Sequence, residues 1–296
     1  MNEVLGISSV QQSLSVIQNE KQNFHTTNVP SYKTRSQFSP NDIRKLIRNR
    51  QFTVSTTGWA DGYVQANLLV LPTKYADDFR NLCLRNPVPC PLLGETAAGN
   101  PTEFSSSSLA ANANLATDIP FYCEYIDGKF SKELTCISSQ WNSSYVGFLI
   151  GCSFSFEAAL VAANLVPRHL PSGNPPPMFK TNLRLCPSGV FSGTFVVSMR
   201  PYKEKDIPLV RRITAAYTNC HGEPVAWGWD GAKQLGIENV MLPDYGFPVQ
   251  LQKDEVPVFW GCGVTPQNVV MMSNLTEPVY SHKPGYMFLT DLQHGF

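Results

Sequence analysis

The sequence predicts an α/β protein, and three observations carry that prediction. Four apolar runs of strand length recur, at residues 64–71, 145–150, 194–199 and 256–260, the first with polar Gln65 and Asn67 two positions apart on one face. Between them lie stretches with apolar residues at helical spacing: Ile43, Leu46 and Ile47, then Tyr75, Phe79, Leu82 and Cys83, then Phe156, Ala159, Leu160 and Ala163. A chain of 296 residues, 43% hydrophobic and 16% charged, can bury the core such elements need, as one large domain or two packed ones.

Charge narrows the function classes. Lys plus Arg and Asp plus Glu both number 23, so the formal net charge is zero and there is no electrostatic footprint for nucleic acid or an acidic membrane. The expected partner is a small-molecule substrate, with no nucleic acid and no membrane; a homo-oligomer is left open. Eight cysteines are scattered without CxxC pairs, which reads as free thiols in a reducing compartment. No run approaches the roughly 20 apolar residues that span a bilayer. The expected localisation is cytoplasmic, with mitochondrial as the alternative.

Residues 1–37 are rich in Ser, Gln, Asn and Thr and are expected to form a flexible or peripherally docked extension. A transit peptide fits less well, because Glu3 and Glu20 come early and the first arginine is Arg35. Ser39 then caps a helix with Pro40 just inside it, and the catalytic region is expected to span residues 38–296. The turn GWADGY leads into the first strand, where Gln65 and Asn67 either line a ligand cleft or face water. A helix follows over 72–84, then a Pro-rich segment at whose start Arg85 is a candidate carboxylate clamp by its fork geometry. Residues 94–116 are small and polar and predict a long surface loop or lid.

The strand at 145–150 delivers Gly151-Cys152-Ser153, and a helix is expected over 153–165. Strand, Gly-Cys-Ser turn and helix would aim free N–H groups at an anion and lower the pKa of Cys152. The competing reading makes Cys152 a small buried hydrophobe. Glu157 in the first helical turn is a candidate general acid/base, or a carboxylate that only complements the dipole. Arg168-His169 precede a Pro-rich loop, a β-branched strand ends at Arg200, and residues 208–217 read as helical. His221 lies in a turn, residues 230–236 and 243–246 read as turns, and VPVFWGCGVTPQ closes the series. There an apolar strand breaks at Gly261-Cys262-Gly263, where glycine is expected to supply φ values that other residues resist, with Thr265 and Gln267 facing a polar ligand. Two Gly-Cys elements predict one cleft. No phosphate loop, HExxH pair, GxSxG elbow or dinucleotide fingerprint is present.

The motifs GYVQANLLVLP, RNPVPCPLL, TDIP, IGCSFSFEAAL, RH, VVSMRP, HGEPV, PDYG, VPVFWGCGVTPQ and HKPG with TD, in that order, resemble the D-glutamate cyclase family, also labelled hydro-lyases. The resemblance implies a mixed-sheet α/β protein of two interwoven parts that forms a lactam from D-glutamate with loss of water, giving 5-oxo-D-proline. It places Cys152 and Cys262 in turns that supply oxyanion donors, Glu157 or His221 as proton carriers, and Arg85, Arg168 or Arg200 on the unreacting carboxylate. Ser153, Gln65, Asn67, Thr265 and Gln267 complete the candidate substrate contacts. No cofactor is required by these motifs, no metal ligands are assigned, and a divalent metal is left open. Where the family pattern carries Arg, Asp and His, this chain has Ala116, Ser144 and Ala226, with Trp227 and Trp229 beside the last. That exchange would suit a larger, less charged substrate. A non-catalytic ligand-binding homologue is a second reading. A metal-dependent hydrolase or isomerase using His221, His282, Asp118 and Asp244 is a third.

Overall fold

A computed structural model describes residues 29–273 and 275–293. Most of the N-terminal extension, residues 1–28, lies outside the described residues. Its remainder is docked: a short helix α1 (Tyr32–Arg35) buries Arg35 against the Leu170 carbonyl, and Tyr32 donates its hydroxyl to Asp61.

Helix α2 (Pro40–Arg48) begins as expected, with Ser39 Oγ accepting from the Asp42 N–H at 3.2 Å. Strand β1 (Tyr63–Pro72) is the centre of a seven-stranded sheet. Its neighbours are β5 (Tyr145–Gly151) on one side and, on the other, β10 (Val279–His282) and β11 (Phe288–Gln293) in succession. Strands β2 (Leu92–Glu95), β3 (Tyr122–Ile126) and β4 (Lys129–Leu134) complete it. A second sheet has the order β6 (Met178–Arg184), β7 (Thr194–Lys203), β9 (Glu255–Gly261) and β8 (Ala226–Trp227). The chain builds one sheet, then the other, then returns to the first with β10 and β11. The two interwoven α/β parts are therefore present, and every ladder among the described residues is antiparallel.

Both faces of β1 are covered, which is why it reads as a nearly continuous apolar run. Ala66, Leu68 and Val70 pack on Leu115, Ile119, Tyr122 and Phe288. Leu69 and Leu71 pack on Phe79 and Leu82 of α3 (Ala76–Arg85) and on Val269 and Val270 of the helix Thr265–Ser273. Gln65 and Asn67 share this second face by the period of two and are buried, so they do not face water.

Four expectations are corrected. The helix over 153–165 is a 3-10 turn (Ser153–Phe156) followed by a short α4 (Glu157–Ala162), broken where Asn164 takes φ +59°. The expected turn near 230 is a helix (Gly228–Gln234) whose Ala232 packs on Phe259. The 94–116 segment is only half a surface loop: its serines are exposed, but Leu109, Ala113 and Leu115 are core residues, because the covering of β1 needs them. Thr265 starts a helix rather than facing a ligand, since its hydroxyl bonds the Cys262 carbonyl at 2.7 Å and takes the Val196 N–H at 3.1 Å. Among the described residues, no helix is long and apolar enough to cross a membrane.

Candidate active site

The two Gly-Cys turns meet as expected, but for a different reason than backbone freedom. None of Gly151, Gly261 and Gly263 has a positive φ. They are glycines because of what touches them: a Cβ on Gly263 would stand 1.7 Å from Asn67 Nδ2, and one on Gly151 would stand 1.7 Å from the Asn219 carbonyl oxygen. Asn67 Nδ2 in turn donates to the Ile150 and Gly151 carbonyls at 3.2 and 3.1 Å. Asn67 is thus the bolt between the end of β5 and the end of β9.

Beside this junction, β7 projects Ser198 and Arg200 from one face, two residues apart, against the start of α4. Arg200 is fully buried, and every nitrogen of its guanidinium has a partner. Nε and Nη2 reach Glu157 Oε1 at 3.0 and 2.5 Å, Nη1 reaches Ser198 Oγ at 3.1 Å, and Nη2 reaches Ser153 Oγ at 3.0 Å. Phe156 and Trp260, whose ring centroids are 5.5 Å apart, stand together beside it at 5.1 and 5.4 Å. His169 Nε2 stands 2.9 Å from the same Glu157 oxygen, out of hydrogen-bond alignment. All three approaches fall on Oε1, and Oε2 is buried with no partner.

Electrostatics follow from this packing. Burial alone would raise the Glu157 pKa, but His169 and Arg200 outweigh it and the carboxyl is held below its ordinary value. Burial lowers the His169 pKa in spite of Glu157, which opposes it. Burial also takes His221 and His282 down to about 4 each. His221 directs Nδ1 at the Val88 carbonyl at 2.7 Å, which makes that nitrogen the N–H.

A stability prediction arises here. Both imidazoles have folded pKa values near 4, below the ordinary 6.5, so the folded state binds fewer protons than the unfolded chain between those values. Their contribution is fully present above pH 6.5 and is lost as pH falls toward 4; each is worth on the order of 3 kcal/mol. The urea midpoint should drop steeply between pH 7 and pH 4.5. A midpoint that stays level across that window would show that these rings are not buried neutral.

The thiols reverse the expected direction. Burial pushes Cys152 well above the ordinary thiol value and takes Cys262 up to about 11. A six-residue helix offers little dipole, and complete desolvation prevails over it. Nor are the turn N–H groups free: the Cys262 N–H bonds the Val196 carbonyl at 3.0 Å, and the Val264 and Phe154 N–H groups bond the thiols of Cys262 and Cys152.

The structure brings Glu157, Arg200 and Ser153 into direct contact. It seats Gln65, Asn67, Cys152, Cys262 and His221 in the buried region around the two turns. Gln267, in the helix Thr265–Ser273, reaches β10 instead, donating at 2.7 Å to Ser281 Oγ, with Oε1 unpartnered. Two arginines stand apart. Arg85 is exposed and donates to the Pro187 carbonyl at 2.6 Å, and Arg168 is half-exposed and paired with Glu255. Sequence reasoning missed His169, although it stands in the RH motif, and Ser198, which the strand period places beside Arg200. It also missed Tyr32 and Asp61, since their contact joins the extension to the GWADGY turn. The third reading loses its ligand set: Asp118 is held by Arg48 at 2.7 Å, and Asp244 caps the Lys180 N–H at 2.8 Å. Among the described residues, no group of three or more His, Cys, Asp or Glu is placed to hold a metal.

Sequence comparison relates this α/β chain to proteins named as hydro-lyases. A Schizosaccharomyces pombe protein named "Putative hydro-lyase" is 70% identical over 90% of this chain and 89% of its own length. Proteins of the same name from Rubrobacter xylanophilus and Azorhizobium caulinodans are 46% and 43% identical, over 84% and 86% of this chain and 94% and 91% of their own. The sequence model described as D-glutamate cyclase matches residues 146–291. The chain belongs to the D-glutamate cyclase family, a family of lyases by these names.

Proposed function

We propose that the protein is a lyase that closes a small amino acid into a lactam with loss of water, with D-glutamate giving 5-oxo-D-proline. The observation that supports this most is Glu157: fixed through Oε1 by Arg200, beside His169, with Oε2 buried and free. Ring closure takes two hydrogens from the substrate ammonium nitrogen, forms the N–C bond, and delivers both hydrogens to one carboxyl oxygen, which leaves as water. A single carboxylate can collect and return each proton in turn. The low resting pKa of Glu157 suits the ionised starting form, and a substrate carboxylate arriving beside it would raise that pKa toward the range a carrier needs.

Arg200 holds the carrier rather than the substrate, because every guanidinium nitrogen is spent on Glu157, Ser153 or Ser198. His169 also lines a cavity of about 200 Å³ with Arg168, Ser172, Phe247 and Gln250. That volume is below the ordinary range for drug-sized ligands and suits a small metabolite, so Arg168 is the remaining candidate for the unreacting carboxylate. The larger-substrate alternative rests on a separate cavity of about 550 Å³ lined by the exposed Trp229 with Ala232, Lys233 and Val240, away from Glu157. Ala116 is packed on the face of β1 opposite Gln65. Incubation of folded protein with D-glutamate, with and without added divalent metal, should yield 5-oxoproline by mass spectrometry. Folded protein that yields none under either condition overturns the substrate assignment.

A further inference from the structure

Arg35 is fully buried, yet it lies in the part of the chain whose composition predicts a loose extension. Arg44 and Arg200, as deeply buried, each bond a carboxylate. Arg35 bonds carbonyls instead. Its Nη2 donates to Leu170 and its Nη1, at 3.4 Å, to Pro30, while among the described residues Nε has no partner. A buried cation with no anion bonded to it carries a desolvation penalty that a neutral side chain would not. What the guanidinium adds is reach between two segments. Toward the GWADGY turn, α1 is held by the Asp61 N–H, which donates to the Ser36 carbonyl at 3.0 Å, and by Tyr32, which donates to Asp61. Toward residues 168–173 the link is Arg35 itself: the Leu170 carbonyl that it holds also takes the Gly173 N–H at 3.0 Å, and a Cβ on Gly173 would stand 3.0 Å from Nη1.

Both segments flank Glu157, since Gly58, Asp61 and Leu170 line one gap with it. His169, one residue before Leu170, brings Nε2 to 2.9 Å from Glu157 Oε1 without an aligned hydrogen bond, with the Phe154 ring stacked 6.4 Å away. The imidazole therefore owes its place to the turn that carries it. We propose that Arg35 is a positioning residue: through the Leu170 carbonyl it fixes the 168–173 turn and so holds His169 against Glu157. The candidate site is then complete only with α1 docked. The inference rests on the lyase reading for its effect on turnover, and on these contacts alone for its effect on His169.

Imidazole NMR and amide exchange on the full chain test this, with the His169 signal assigned by its loss in His169→Gln. Burial lowers the His169 pKa, Glu157 opposes it, and Arg200 and Arg35 add to the lowering. In Arg35→Met the His169 ring should titrate higher, toward the ordinary value of about 6.5, and the Leu170 and Gly173 amides should exchange about tenfold faster or more. His221 and His282 should not move, because their rings bond Val88 and Leu68, outside both segments. Equal movement of all three rings would mean that Arg35 only supports the fold, and overturns the proposal. A shift of His169 with unchanged exchange at 170 and 173, the mark of the lost charge alone, overturns it too, as does no change in either. Arg35→Gln, whose amide stops short of Leu170, is read in the same way should Arg35→Met fail to fold. Turnover is a separate arm: where the wild type converts D-glutamate, Arg35→Met should lower kcat by about tenfold or more, and an unchanged kcat overturns the positioning role. Wild-type protein that converts none, with His169 responding as expected, would sink the proposed reaction and leave the tether standing.

Discussion

Glu157→Gln is expected to lower turnover of D-glutamate by about a hundredfold or more, and to destabilise the fold by about 3–5 kcal/mol. The two losses have different causes. Turnover falls because an amide cannot carry protons between the amino nitrogen and the departing oxygen. Stability falls because Arg200, fully buried beside Phe156 and Trp260, keeps its charge and loses the carboxylate opposite it. The double variant Glu157→Gln/Arg200→Met separates them. Removing the orphaned cation should return much of the urea midpoint, since a buried ion pair can often be exchanged for apolar packing, while activity stays absent. Near-normal turnover in folded Glu157→Gln would remove Glu157 from the mechanism. A double variant no more stable than the single would show that the orphaned guanidinium is not what costs Glu157→Gln its stability.

Gly263→Ala and Gly151→Ala should both be destabilising by about 3 kcal/mol or more, beyond the usual cost of overpacking, because each new Cβ falls 1.7 Å from an existing atom. They should differ in rescue. The obstacle to Gly263→Ala is the side-chain amide of Asn67, so the Gly263→Ala/Asn67→Ala pair should recover part of the loss. The obstacle to Gly151→Ala is the backbone carbonyl of Asn219, which no substitution at 219 removes. Urea midpoints of the two double variants check this, with Asn219→Ala as the second partner. Equal rescue in both would mean that the glycines serve some need other than close approach.

The strands and α2 were legible because their signals are local. Ser39 and Pro40 cap a helix wherever they stand before a helical stripe, and a run such as residues 64–71 buries itself in any fold that offers two covering layers. The short α4 and the helix at Gly228–Gln234 were not, because a six- or seven-residue helix is decided by what packs on it rather than by its own propensity. Glu157 and Arg200 were each legible as candidates. That they are partners was not, since 43 residues separate them and only the pairing of β7 with β9 and the seat on β1 of the 3-10 turn before α4 bring them together. For the same reason the clamp role fell away from Arg200: its charge is spent before any substrate arrives.

By itself the sequence determined the family, the α/β class and the residue types available to the site, because motifs and periodicity are properties of neighbouring residues. The tertiary structure alone decided which of those residues are free to act. Burial raised the Cys152 and Cys262 pKa values where a helix start would have lowered them, and it took His221 to about 4. Packing left unpartnered acceptors on Gln65 and Glu157 and none of the nitrogens of Arg200. Desolvation and hydrogen-bond satisfaction depend on every atom that surrounds a group, and most of those atoms come from distant parts of the chain.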